Sequence, residues 1–183
     1  MSTPREVRIG QKDGYHGQLV RVRVDEVQLP SGRESVREVV EHPGAVAIVA
    51  VTNDDHLLLV RLFRYAANQD LLEIPAGTRE PGEDPATTAA RELIEETGYE
   101  AGSLTEVLTF FPSPGYSTEQ ITLFYATKCR PVTHNREIDE PAQVEHVALT
   151  EVPYLLLPGT SRIADGKTLI GMFWLMRHIA DPN

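Results

Sequence analysis

Glu92, Glu95 and Glu96 crowd into the short segment RELIEETGY, and their spacing could do chemistry if the segment is helical. Helix signals bracket it: Asp84 suits an N-cap, Pro85 the first helical position and Gly98 the C-terminal stop. Residues three and four apart meet on a helix surface, so Glu92 and Glu96 lie together with Glu95 beside them. Like charges so placed cost about 0.2–0.5 kcal/mol per pair, and propensity does not favour them. Arg91 can pair with Glu95 one turn on and offset part of that cost. A divalent cation offsets more, and Mg²⁺ takes oxygen ligands from carboxylates, water and phosphate. A solvated acidic face is the bland alternative. The preceding loop, GTREPGEDP, weighs against it, because Gly77 and Gly82 allow a fold-back and Glu83 adds a fourth acid.

The elements that must position these acids follow from periodicity. On a wheel of ~100° per residue, Ala86, Ala89, Ala90, Leu93 and Thr97 share a face that would pack on a sheet, with Glu92 and Glu96 on its flank. Strand patterns run over 16–30, over 37–52 with a break at Pro43-Gly44, and over 56–65, 71–76, 104–112 and 120–129, resuming at 144. AVAIVAV is apolar enough for a central buried strand, and Asn53-Asp54-Asp55 turns the chain into its neighbour. A second helix is expected over 165–180 with Asp165 as N-cap. The expected fold class is α+β, an α/β/α sandwich with a mixed sheet between helices and a small N-terminal antiparallel β region. The expected division is 1–42 for that region and 43–183 for the main domain.

Gly77, five residues, Glu83, seven residues, then Arg91-Glu92-Leu93-Ile94-Glu95-Glu96-Thr97-Gly98-Tyr99 resembles the Nudix box. Tyr99 is the one departure, standing at a packing position where a bulky aliphatic is usual. The resemblance implies a Nudix hydrolase that uses Mg²⁺, with Mn²⁺ as a possible substitute. It implies Glu92 and Glu96 as main ligands, Glu95 assisting, and the Ala76 carbonyl completing the shell. Glu83 becomes an outer acid, Arg91 a structural residue orienting the glutamates, and Gly77 and Gly98 the structural ends of the box. FPSPGYSTE, with Pro114, Gly115 and Glu119, is similar to the substrate segment of enzymes that cleave ADP-ribose and nucleoside diphosphate sugars. LLEIPAG and VRLFRYA resemble the same subfamily, and Arg64 matches an arginine that touches substrate. Each has a plain alternative: Ser113-Pro114-Gly115 as a turn, Arg64 as a strand-end charge, Glu119 as an exposed strand start. The resemblance places the general base at Glu140, with Glu137 and then Asp139 as fallbacks; Ala142 stands where some relatives carry a further acid. It also implies a homodimer formed through the N-terminal strands, with Tyr15 and Arg37 as nucleobase contacts and plain β packing as the alternative for Tyr15. Rival functions are a non-hydrolytic nucleotide-binding regulator, or a Nudix hydrolase for dinucleoside polyphosphates, CoA or oxidised nucleotides.

Bulk properties narrow the partners. With 17 basic and 27 acidic residues the net charge is −10, so nucleic acid is repelled, and a phosphate substrate is accepted only where cations or local arginines reverse the field. No apolar run approaches the ~20 residues that span a bilayer, and the polar start lacks a signal-peptide core, so a cytoplasmic location is expected. Cys129 is a lone cysteine, read as filler. Six histidines are scattered without metal-ligand spacing.

Overall fold

A computed structural model describes residues 4–18, 20–132, 143–157 and 163–181. The chain divides into two compact units, Met1–Gly44 with Phe111–Gln120, and Ala45–Phe110 with Ile121–Asn183.

The first unit is an antiparallel three-stranded sheet of β1 (Val7–His16), β2 (Arg21–Gln28) and β3 (Glu34–Glu41), in that order. The alternation that marked β2 counted Val22 and Val24, which are half-buried; the buried residues are Asp25 and Val27 on the other face, and Asp25 accepts from Arg23 Nε at 3.0 Å. β1 gave no sequence signal. Its only residue that is not fully exposed is Gly10, and period two appears only where one face is buried. Phe111–Gln120 joins this unit through the backbone: Val40 N–H donates to Tyr116 O at 2.8 Å, and Thr118 N–H to Val40 O at 3.0 Å.

The second unit holds an eight-stranded sheet. Its path is β11 (Gln143–Ala148), β5 (His56–Arg64), β4 (Ala45–Thr52), β10 (Ile121–Pro131) and β8 (Tyr99–Glu100), with β6 (Gln69–Glu73) on β5, β7 (Ala76–Thr78) on β4 and β9 (Ser103–Phe110) on β10. β4 runs parallel to β10 and antiparallel to β5 and β7, which makes the sheet mixed. The run AVAIVAV is β4, the central strand, and its alternation separates two cores. Val46, Ile48 and Ala50 pack with Ala89 and Leu93 of α1 (Pro85–Thr97). Ala47, Val49 and Val51 pack with Met172 and Leu175 of α2 (Gly166–Ala180). The two helices therefore cover opposite faces of one sheet, the expected α/β/α sandwich. A short 3₁₀ turn, Val152–Leu156, also packs on the α2 side through Val152.

One detail of α1 corrects the helical wheel. The buried residues are Thr88, Ala89, Leu93 and Thr97, while Ala86 and Ala90 are exposed. With Leu93 at zero and ~100° per residue, the buried arc runs from about −140° to about +40°, and Glu96 falls near its middle at about −60°. The acids were expected on the flank because methyl groups were counted as core. The sheet takes the glutamate stems instead; Ala90, at about +60°, falls outside the arc, and Ala86, at about +20°, is exposed because it lies in the first turn.

Candidate active site

The register of α1 is fixed at both ends. Asp84 is extended and its carboxylate accepts from Ala86 N at 3.0 Å and Thr87 N at 3.4 Å, with Pro85 in the first turn. Gly98 adopts the left-handed conformation at φ 75°, and its N–H donates to Ile94 O at 2.8 Å. These caps decide which side chains face β7.

Glu92 and Glu96 do. Ala76 N–H donates to Glu96 Oε2 at 2.9 Å. A Cβ built on Gly77 would stand 1.9 Å from Glu92 Cδ, so the Glu92 carboxylate lies where any side chain at position 77 would be. The Glu92 side chain is 13% exposed against 47% for Glu95, which separates an inner pair, Glu92 and Glu96, from an outer acid. Burial raises the pKa of Glu92, partly opposed by Arg91. Burial likewise pushes Glu96 up to about 7, against the Ala76 hydrogen bond. At both positions burial disfavours the charged form of the carboxylate.

Arg91 joins the acids. Its Nη1 donates to Glu92 Oε1 at 2.7 Å and to Glu95 Oε2 at 2.9 Å, while Nε and Nη2 reach the two oxygens of Glu83 at 3.2 and 3.1 Å. This guanidinium holds Glu83 down to about 2, and the acids raise the pKa of Arg91 in turn. Glu83 also accepts from Glu80 N at 3.2 Å, closing the loop ahead of the helix.

Among the described residues, no three acidic, histidine or cysteine side chains converge at metal-binding distances; Arg91 and the Ala76 amide occupy oxygens of Glu92, Glu95 and Glu96. The donor chemistry nevertheless fits a hard divalent cation. Two desolvated carboxylates, a third within one turn and a strand backbone without a Cβ in the way form an all-oxygen set.

Arg64, at the end of β5, forms a fork with Glu73: Nε to Oε1 at 2.9 Å and Nη2 to Oε2 at 2.8 Å. Lys167 also donates to Glu73. Burial works to raise the pKa of Glu73, but Arg64 and Lys167 outweigh it and lower it below the ordinary range. Sequence reading passed over Glu73 and Lys167 as functional residues and saw Asp165 only as a cap. The available signal was an acid inside the apolar run LLEIPA, next to a strand end.

The structure thus brings together Ala76, Gly77, Glu83, Arg91, Glu92, Glu95 and Glu96, leaves Gly98 at the C-cap of α1, and pairs Arg64 with Glu73, three residues before Ala76. Tyr15, Arg37, Pro114, Gly115 and Glu119 belong to the first unit. Tyr15 is exposed, and Arg37 Nε donates to Glu6 at 2.9 Å. Pro114 and Gly115 sit in a turn in which Tyr116 and Ser117 N–H donate to Ser113 O at 3.3 and 3.0 Å. Glu119 lies 4.0 Å from His42 Nε2. Glu140, Glu137 and Asp139 lie outside the described residues.

A family model described as NUDIX domain matches residues 41–168. The chain is 38% identical over 175 residues to the ADP-ribose pyrophosphatase of Bacillus subtilis (strain 168), covering 96% of this chain and 95% of that protein. It is 40% identical over 161 residues to the methanol dehydrogenase activator of Bacillus methanolicus, covering 88% and 87%. The crystal structure of an ADP compounds hydrolase superposes with a TM-score of 0.85 over 100% of this chain and 97% of that one. At 23% identity, that last likeness is one of fold.

Proposed function

Because the chain belongs to the Nudix family, we propose that it hydrolyses the pyrophosphate bond of ADP-ribose or a related nucleoside diphosphate sugar, giving a nucleoside monophosphate and a sugar phosphate. The observation that carries this reading is the pair Glu92 and Glu96, half-buried against the Ala76–Gly77 backbone on the helix of a Nudix box that departs from the pattern only at Tyr99. The likeness to an ADP-ribose pyrophosphatase over nearly all of both chains supports the substrate class.

The reaction depends on a divalent cation, Mg²⁺ in this proposal with Mn²⁺ as a substitute. Glu92 and Glu96 would hold it, Glu95 would assist and the Ala76 carbonyl would add a neutral oxygen. When bound, the cation neutralises the diphosphate and favours in-line attack by water on phosphorus. Arg91 keeps the glutamate heads in register, and Glu83 fixes Arg91 from the far side. Arg64 binds the diphosphate, and Pro114, Gly115 and Glu119 shape the substrate site. Glu140 takes the proton from the attacking water, with Glu137 as its alternate. The P–O bond to the bridging oxygen breaks, and the second phosphate leaves with the electron pair. The working unit is a cytoplasmic homodimer formed through residues 1–42, with Tyr15 and Arg37 reaching the nucleobase. Exposed Val7, Ile9 and Val36 on the three-stranded sheet support such an interface.

The relative named as a methanol dehydrogenase activator favours a second reading, a regulator acting through bound nucleotide. One assay separates the two. The protein is incubated with Mg²⁺ and ADP-ribose, ADP-glucose, GDP-mannose, NADH or diadenosine polyphosphates, and released monophosphate is measured. Turnover of the sugar nucleotides is expected. No product from any substrate removes hydrolysis; product from polyphosphates alone removes the sugar reading.

A further inference from the structure

Glu73 is 1% exposed, yet it accepts from two cations, Arg64 on one side and Lys167 on the other. Lys167 Nζ lies 3.0 Å from Asp165 Oδ2, which extends the series to four alternating charges. Stability alone is a weak reason for such a series. Buried ion pairs roughly break even against well-packed apolar residues. The docking of α2 already has a fastening that uses neither Glu73 nor Lys167: Thr168 Oγ1 accepts from Ile74 N at 3.0 Å and donates to Asp165 Oδ2 at 2.6 Å.

The series has one outlet. The side chains of Glu73, Lys167 and Asp165 are 1%, 12% and 18% exposed, whereas Arg64 is 44% exposed. Glu73 occupies the Nε and Nη2 edge of Arg64, and among the described residues Nη1 has no protein acceptor. Glu73 lies three residues before Ala76, whose N–H donates to Glu96 Oε2 at 2.9 Å, so this group borders the acid site.

We propose that Glu73 and Lys167, backed by Asp165, are positioning residues that hold the Arg64 guanidinium in one orientation for the substrate's diphosphate. The proposal rests on the reading of this chain as a nucleoside diphosphate hydrolase in which Arg64 touches substrate. Glu73 alone would orient Arg64 but cancel its field. Lys167 shares the Glu73 charge, so the guanidinium stays positive toward an incoming phosphate. An arginine already fixed in its binding orientation loses little side-chain freedom when substrate arrives.

A double-mutant cycle tests this. Lys167→Met and Lys167→Gln, each alone and with Arg64→Ala, are assayed with ADP-ribose and Mg²⁺, at a temperature below the melting point of every variant. Lys167→Gln keeps a hydrogen-bond donor and tests the charge if Lys167→Met fails to fold. The expected result is a KM increase of roughly tenfold for the single Lys167 variants, falling mainly on KM rather than kcat. In the Arg64→Ala background the same substitution changes KM by less than about twofold. Equal KM effects in both backgrounds, or an unchanged KM in the single variants, overturn the proposal, since a merely structural lysine acts regardless of Arg64. If the wild-type chain leaves ADP-ribose uncleaved, the substrate reading falls by itself. The cycle is then read on the Kd of magnesium pyrophosphate by calorimetry, with the same two patterns deciding.

Discussion

Replacing Gly77 by alanine should separate folding from activity. The added Cβ would begin 1.9 Å from Glu92 Cδ and 2.2 and 2.3 Å from its oxygens. Ordinary contact starts near 3.4 Å, so the carboxylate must retreat by at least 3.4 − 1.9 = 1.5 Å. The obstructing atoms are the far end of a flexible side chain, and the backbone at Gly77 is ordinary strand, so the fold can absorb the change. Alanine also narrows the unfolded ensemble, worth about 0.4–1 kcal/mol in the opposite direction. Net stability should therefore move by no more than about 1 kcal/mol. Displacement of a ligand carboxylate by more than 1 Å is another matter, and a loss of about 10²-fold in kcat is expected. Thermal melting without metal, followed by Mg²⁺-dependent turnover of ADP-ribose, reads both numbers. Near wild-type turnover would show that Glu92 is not required where the structure holds it. Loss of cooperative melting would show that the strain falls on the backbone instead of the side chain.

Glu140→Gln should slow turnover by about 10²- to 10⁴-fold, the usual contribution of a general base, while Mn²⁺ affinity stays within a few-fold; a normal rate would move the role to Glu137. Glu73 supplies a pH dependence. Its folded-state pKa lies below the ordinary 4.5, so its contribution to stability is present above that value and is lost as pH falls through the folded pKa. Glu73→Gln should therefore flatten the stability curve below about pH 4.5 relative to wild type, as measured by urea unfolding at a series of pH values. Parallel curves for the two proteins would mean that the Arg64 and Lys167 contacts do not hold that carboxylate ionised.

The parts of the molecule legible in the sequence are those governed by local rules. Asp84, Pro85 and Gly98 mark the ends of α1 because capping is chemistry between near neighbours. The run AVAIVAV could be read as central because a strand covered on both faces needs no alternation of polar residues. What escaped depends on distant partners. β1 is exposed along nearly its whole length and is defined only by its pairing with β2. Phe111–Gln120 joins the first unit through backbone bonds to Val40, which leave no mark on side-chain pattern. In α1, the turn of Glu96 toward the Ala76 amide follows from where β7 lies, and no wheel contains that strand. Glu73 and Lys167 are 94 positions apart, so neither residue announces the other.

The half-buried carboxylates of α1, Glu92 and Glu96, are expected to hold a divalent cation. The most direct test is Mn²⁺ binding, followed by electron paramagnetic resonance in the absence of substrate, for wild type and for the double variant Glu92→Gln, Glu96→Gln. Saturable binding is expected in wild type. Cation at about 100 times its Kd should add about 2.7 kcal/mol of stability, seen as a rise in melting temperature. The double variant should melt cooperatively without metal and show neither the binding nor the rise. Equal Mn²⁺ affinity in both proteins would contradict the account.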